Sequence, residues 1–116
     1  MANSKTKTQK KLKPKLQILY TTWPDRDTAL KASTQLIQEG LAGCVNLLSQ
    51  MTSVYSWEGK LETADEVVLL VKTDSRRLKP CRARLRQLHP YQVPCLMAWD
   101  VSSCNPDYAQ WLLGSK

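Results

Sequence analysis

Phenylalanine is missing from the 116 residues, histidine occurs once and glycine four times. Each scarcity removes a class of function. A single histidine, His89, leaves no Ser-His-Asp set for nucleophilic catalysis. Four scattered glycines make no glycine-rich phosphate loop, and residues 20–28 do not resemble the glycine- and arginine-bearing loop of an acylphosphatase. An RNA-recognition sheet needs an aromatic-rich central strand, whereas residues 67–72 are aliphatic apart from the closing lysine. None of the four cysteines (Cys44, Cys81, Cys95, Cys104) stands in a Cys-x-x-Cys pair, which argues against a zinc ribbon. The longest unbroken aliphatic run, residues 67–71, is far short of the roughly 20 residues of a membrane-crossing helix. The first fifteen residues contain no apolar core of a secretory signal. The expectation is a soluble, cytoplasmic, non-enzymatic protein with no membrane partner and reduced thiols.

What is present fits one domain. At this length roughly 65% of the unfolded chain's surface can be buried, enough for a core. The net charge of +7 suggests nucleic acid until it is located. Six lysines (Lys5, Lys7, Lys10, Lys11, Lys13, Lys15) and no acid fall in residues 1–15, which leaves eleven basic and ten acidic residues beyond. Residues 1–15 therefore read as a disordered basic tail and residues 16–116 as a nearly neutral domain. Arg76, Arg77, Lys79, Arg82, Arg84 and Arg86 cluster further on, but without an aromatic strand nucleic acid is not the expected partner.

Residues 16–22 have the β-branched and aromatic content of a strand, and Pro24 ends it. Asp25 caps a helix with Ala29, Ala32, Leu36 and Ile37 on its apolar face and Gly40 as its stop. Residues 44–57 and 61–73 form one long hairpin, bent near Ser49-Gln50 and turned at Glu58-Gly59. Ser75 is the expected cap of a second helix carrying Leu78, Cys81, Leu85 and Leu88, with Pro80 in the first turn. A stiff connection, His89-Pro90-Tyr91-Gln92-Val93-Pro94, leads to a strand over residues 95–101. Asn105 and Pro106 then open a short helix.

The order β-α-β-β-α-β plus a final helix predicts an α+β, ferredoxin-like antiparallel sheet with helices on one face. Residues 67–71 are apolar on both sides of their strand, so the other face needs a cover, at stake about 1.5–3 kcal/mol per buried side chain. Identical neighbours are the expected cover; the C-terminal helix of the same chain is the alternative. Tyr55, Trp57 and Trp99 add aromatic surface.

Five blocks resemble the CutA divalent-cation-tolerance family: Leu41-Ala42-Gly43-Cys44-Val45-Asn46, Ser53 through Lys60, Glu66 through Thr73, His89 through Pro94, and Tyr108-Ala109-Gln110-Trp111. The resemblance implies a subunit similar to PII signalling proteins, a homotrimer in which the long hairpin crosses neighbouring subunits, and a non-enzymatic part in tolerance of divalent metals, copper in particular. No cofactor is implied as required; copper or another divalent cation is the implied ion. Some bacterial members carry proposed copper ligands where Thr21, Leu88 and His89 stand here, so only the histidine is matched. The family's usual Glu after the second proline is here Cys95.

Copper(I) favours thiolate and imidazole, which makes His89 the candidate metal ligand and Cys95, six residues on, its companion. His89 also reads as a cap for the second helix. Tyr55, Trp57, Glu66, Lys72 and Tyr91 are the candidates for a small-ligand cleft or a trimer interface, with Lys72 either holding an anion or bridging to Glu66.

Overall fold

The computed structural model describes residues 13–115. The sequence-predicted tail therefore lies mostly outside the described residues. Its last residue, Lys15, is pinned: its N–H donates to Ser75 Oγ (2.9 Å) and its carbonyl accepts from the Ser75 N–H (2.8 Å).

Four strands and three helices follow the expected order: β1 (Leu16–Trp23), α1 (Arg26–Gln38), β2 (Cys44–Trp57), β3 (Lys60–Asp74), α2 (Leu78–Leu88), β4 (Leu96–Asp100) and α3 (Pro106–Leu113). The strands lie in the order β2-β3-β1-β4, every pair antiparallel. Asp25 caps α1 by accepting the Thr28 N–H at 2.8 Å, and Gly40 leaves that helix at φ +70°. Ser75 does not cap α2: the helix begins at Leu78, Arg77 stands at its N-cap without a side-chain capping bond, and the Ser75 hydroxyl accepts from Lys15 instead. Starting at Leu78, the helix has Pro80 in its first turn, where no N–H is missed.

Strand pleating decides the two faces. Leu19, Trp23, Val67, Leu69 and Val71 point to one side and close a core with Ala29, Ala32 and Leu36 of α1 and Cys81 and Leu85 of α2. Ile37, expected on the apolar face of α1, is exposed. The cross-strand register places Ile18, Tyr20, Leu48, Val68, Leu70, Met97 and Trp99 on the other side. There α3 covers only one end: Leu112 is buried, and with Leu16, Ile18, Lys72 and Tyr108 it borders a cavity of about 170 Å³. The chain's own last helix is thus a partial cover, and Leu48, Met97 and Trp99 remain exposed.

β3 is paired with β1 only from Val67 onward. Before that, residues 60–66 pair with β2 alone and form a two-stranded arm. Glu58 and Gly59, both at positive φ (51° and 79°), make its tip, the geometry that matches strand twist in a two-residue hairpin. The arm stretches the molecule to 61 × 29 × 27 Å with a radius of gyration of 16.9 Å, against about 13 Å for a compact chain of this size. A bulge at Ser49-Gln50, with Gln50 at φ +64°, lies at its root.

Candidate functional site

The segment between α2 and β4 is held by its one histidine. His89 leaves the helix with extended backbone (φ −76°, ψ 133°), so its ring turns to β1 and not to the helix carbonyls it was expected to cap. Nε2 lies 2.7 Å from the Thr22 carbonyl, which can only accept, so this nitrogen carries the proton. Nδ1 accepts the Tyr91 backbone N–H at 3.1 Å. The ring stacks on Trp23 (centroids 4.1 Å) and Tyr91 (4.8 Å). Burial lowers the His89 pKa and outweighs the Thr22 bond and the Glu66 charge, which favour the cation. His89 is a neutral imidazole with both nitrogens engaged, and it offers a metal no lone pair in this arrangement.

Beside it, Tyr91 reaches the root of the arm. Its hydroxyl donates to Glu66 Oε2 at 3.1 Å, while Ser53 Oγ donates to Glu66 Oε1 at 2.6 Å. Burial, then the bond to Glu66, push the Tyr91 phenol up to about 12, so it stays a donor at neutral pH. Period-two pleating puts Glu62, Ala64 and Glu66 on one side of β3, opposite Tyr55, Ser53 and Met51 of β2. With Trp57 and Val93 these form a cleft of about 630 Å³ lined by Tyr55, Trp57, Glu62, Ala64, Glu66 and Tyr91. Two carboxylates and three aromatic rings with no basic lining residue suit a positively charged guest. Cys95 is half-buried, and burial together with the Glu66 charge raises its thiol pKa. That disfavours the free thiolate. Among the described residues no three His, Cys, Asp or Glu side chains come together to hold a metal ion.

Of the five candidate cleft residues, Tyr55, Trp57, Glu66 and Tyr91 meet there and Lys72 does not. Glu66 and Lys72 are six positions apart on one strand, roughly 20 Å along it, too far to bridge. Lys72 Nζ instead bonds the Tyr108 hydroxyl (3.1 Å) and lies 5.2 Å from that ring's centroid, beneath α3.

The sequence reading passed over a second polar centre. Asp74, fully buried at the end of β3, accepts from Arg76 (2.9 and 3.1 Å) and Arg77 (2.8 Å). Burial alone would raise this carboxyl, yet the two guanidiniums hold it below its ordinary value. Arg77 also donates to the carbonyls of Leu112 and Ser115 (both 3.0 Å), and Arg76 to that of Leu113 (2.7 Å). The last carbonyls of α3, which no helical N–H can reach, are thereby fastened to β3. A lone acid closing an apolar strand just before two arginines was the available signal.

An antiparallel four-stranded sheet in this order, with two helices on one face and a third at the end of the other, defines a ferredoxin-like α+β protein extended by a β2–β3 arm. Solved structures share it: CutA from Xylella fastidiosa superposes with a TM-score of 0.82 at 39% identity, over 84% of this chain and 94% of that one. The family model described as CutA1 divalent ion tolerance protein matches residues 17–115. The chain belongs to that family. It is 40% identical to the divalent-cation tolerance protein CutA of Pyrococcus horikoshii, over 83% of this chain and 93% of that one. With the CutA homolog of Xenopus laevis it shares 36% identity over 84% of its own length, spanning 64% of that relative.

Proposed function

We propose that this chain works as a homotrimer, without catalysis, in tolerance of divalent cations, copper among them, and that the arm builds the assembly. The supporting observation is the arm itself. An isolated two-stranded hairpin is marginally stable in water, and this one leaves Leu61 at 80% and Trp57 at 63% exposure. Leu48, Met97 and Trp99 on the uncovered sheet face need shelter as well. The number three follows from the family resemblance. Light scattering on the eluting protein should give three times the 13.2 kDa chain mass. Leu61→Asp should drop it toward the single-chain mass with circular dichroism retained, because Leu61 lies outside the core. A variant that keeps the full mass would overturn the arm's role.

The described residues do not fit a resident metal within one subunit, since His89 is spent on Thr22 and Tyr91 and no three His, Cys, Asp or Glu side chains come together among them. The part in cation tolerance therefore runs through the assembled protein and the molecules it meets. A second, PII-like reading, in which the trimer binds a small ligand, is favoured by one feature: the aromatic and acidic cleft. Its guest would be an organic ammonium ion. Quenching of tryptophan fluorescence by such an amine, weakened at least tenfold by Glu66→Gln, would support it. Equal quenching in both proteins would remove it.

A further inference from the structure

α2 carries four basic residues and no acid among its eleven. Arg84 is accounted for: it pairs with Glu39 at 2.9–3.1 Å and so ties α2 to α1's C-terminal cap. Arg76 and Arg77, just ahead of the helix, are spent on Asp74 and the end of α3. Among the described residues Lys79, Arg82 and Arg86 have no carboxylate partner. They stand at i, i+3 and i+7, one stripe on one side of the helix about 10 Å long. With Ala83, Pro94 and Leu96 they line a single groove of about 370 Å³.

The helix dipole favours only one of the three, Arg86 in the last turn. Like charges three and four positions apart on a helix repel. Lys79 stands in the first turn, where the helix dipole disfavours a cation and no acid offsets it. The groove runs along α2 on the helix layer, and its far wall is Pro94 and Leu96 at the start of β4.

We propose that this groove binds a small molecule bearing two or three consecutive phosphate groups. Evenly spaced cations match evenly spaced phosphates, and guanidinium forks grip phosphate oxygens two at a time. The apolar wall of Ala83, Pro94 and Leu96 would seat the rest of the guest. A lone carboxylate would engage one cation and leave two. A long nucleic-acid strand would need the basic track to continue, but the adjacent arginines, Arg76, Arg77 and Arg84, are already bonded within the chain.

The test is calorimetric titration of the full chain with inorganic tripolyphosphate at physiological salt. Arg82→Gln/Arg86→Gln is compared with Arg26→Gln/Lys31→Gln, which removes the same charge from exposed positions on α1. The groove variant should bind at least tenfold more weakly than the parent, and the α1 variant less than threefold. Equal losses would reduce the effect to a general field, lysine-rich N-terminus included, and overturn the site. So would a parent protein that binds no tripolyphosphate, or one that prefers a single-stranded oligonucleotide to it.

Discussion

Asp74 shows how one side chain fixes the position of two elements. Its carboxylate is buried, and taking away Arg77 leaves Arg76 as its one remaining partner and frees the carbonyls of Leu112 and Ser115. Arg77→Ala should cost about 1.5–3 kcal/mol, read from the midpoint of urea unfolding, and should loosen α3 along with β3. The sign of the pH dependence follows. The folded-state pKa of Asp74 lies below the unfolded value, so its stabilisation is complete above about pH 4 and fades as pH falls through the folded value. An Asp74→Asn protein should start less stable and lose less on acidification. His89 acts in the same direction for a different reason. Its pKa is lowered, so the fold favours the neutral ring; that contribution is present above about pH 6.5 and declines as pH falls through the folded value. His89→Ala should destabilise by about 2 kcal/mol, because the Thr22 carbonyl and the Tyr91 N–H lose their partner. Copper affinity measured by calorimetry on reduced protein should not change. A marked loss would mean that the ring leaves Thr22 to take the ion.

At the scale of elements, nearly all of the fold was legible because period and punctuation agreed. Asp25, Gly40, Gly59, Pro80 and Pro106 each mark a boundary for a local reason, and the structure keeps all five. Ser75 misled because a capping residue is recognised by type; the helix begins only at Leu78, and the Ser75 hydroxyl accepts from Lys15, sixty positions away in sequence. The site was legible only in part. Tyr55, Glu66 and Tyr91 meet because the Pro90–Pro94 segment packs against the arm, and no spacing rule carries that contact. The separation of Glu66 from Lys72 was readable from strand rise alone. Gly59 offers a test at this scale: it has positive φ and open space around it, so Gly59→Val should cost about 1–2 kcal/mol through backbone strain and weaken assembly more than it weakens the core.

For the whole molecule, the core and the arm depend on different things. Helices and sheet bury Leu19, Trp23, Leu36, Leu69 and Leu85 within one chain, while the arm meets only the Pro90–Pro94 segment at its root and leaves Trp57 and Leu61 exposed. If identical neighbours supply the missing cover, folding and association are linked by mass action. The apparent melting temperature should then rise with protein concentration, and a value constant over a hundredfold range would contradict the linkage. The Leu61→Asp protein should lose the dependence.

The bulge at the root of the arm separates two properties that usually travel together. Between the pairs Leu48–Val68 and Met51–Glu66, β2 spends two residues where β3 spends one. Deleting Gln50 would therefore leave every cross-strand partner in place and relax only the bend. Such a protein should be sound as a single subunit and wrong as a building block, like a key cut correctly and then straightened. Aim, here, is encoded by one residue that pairs with nothing.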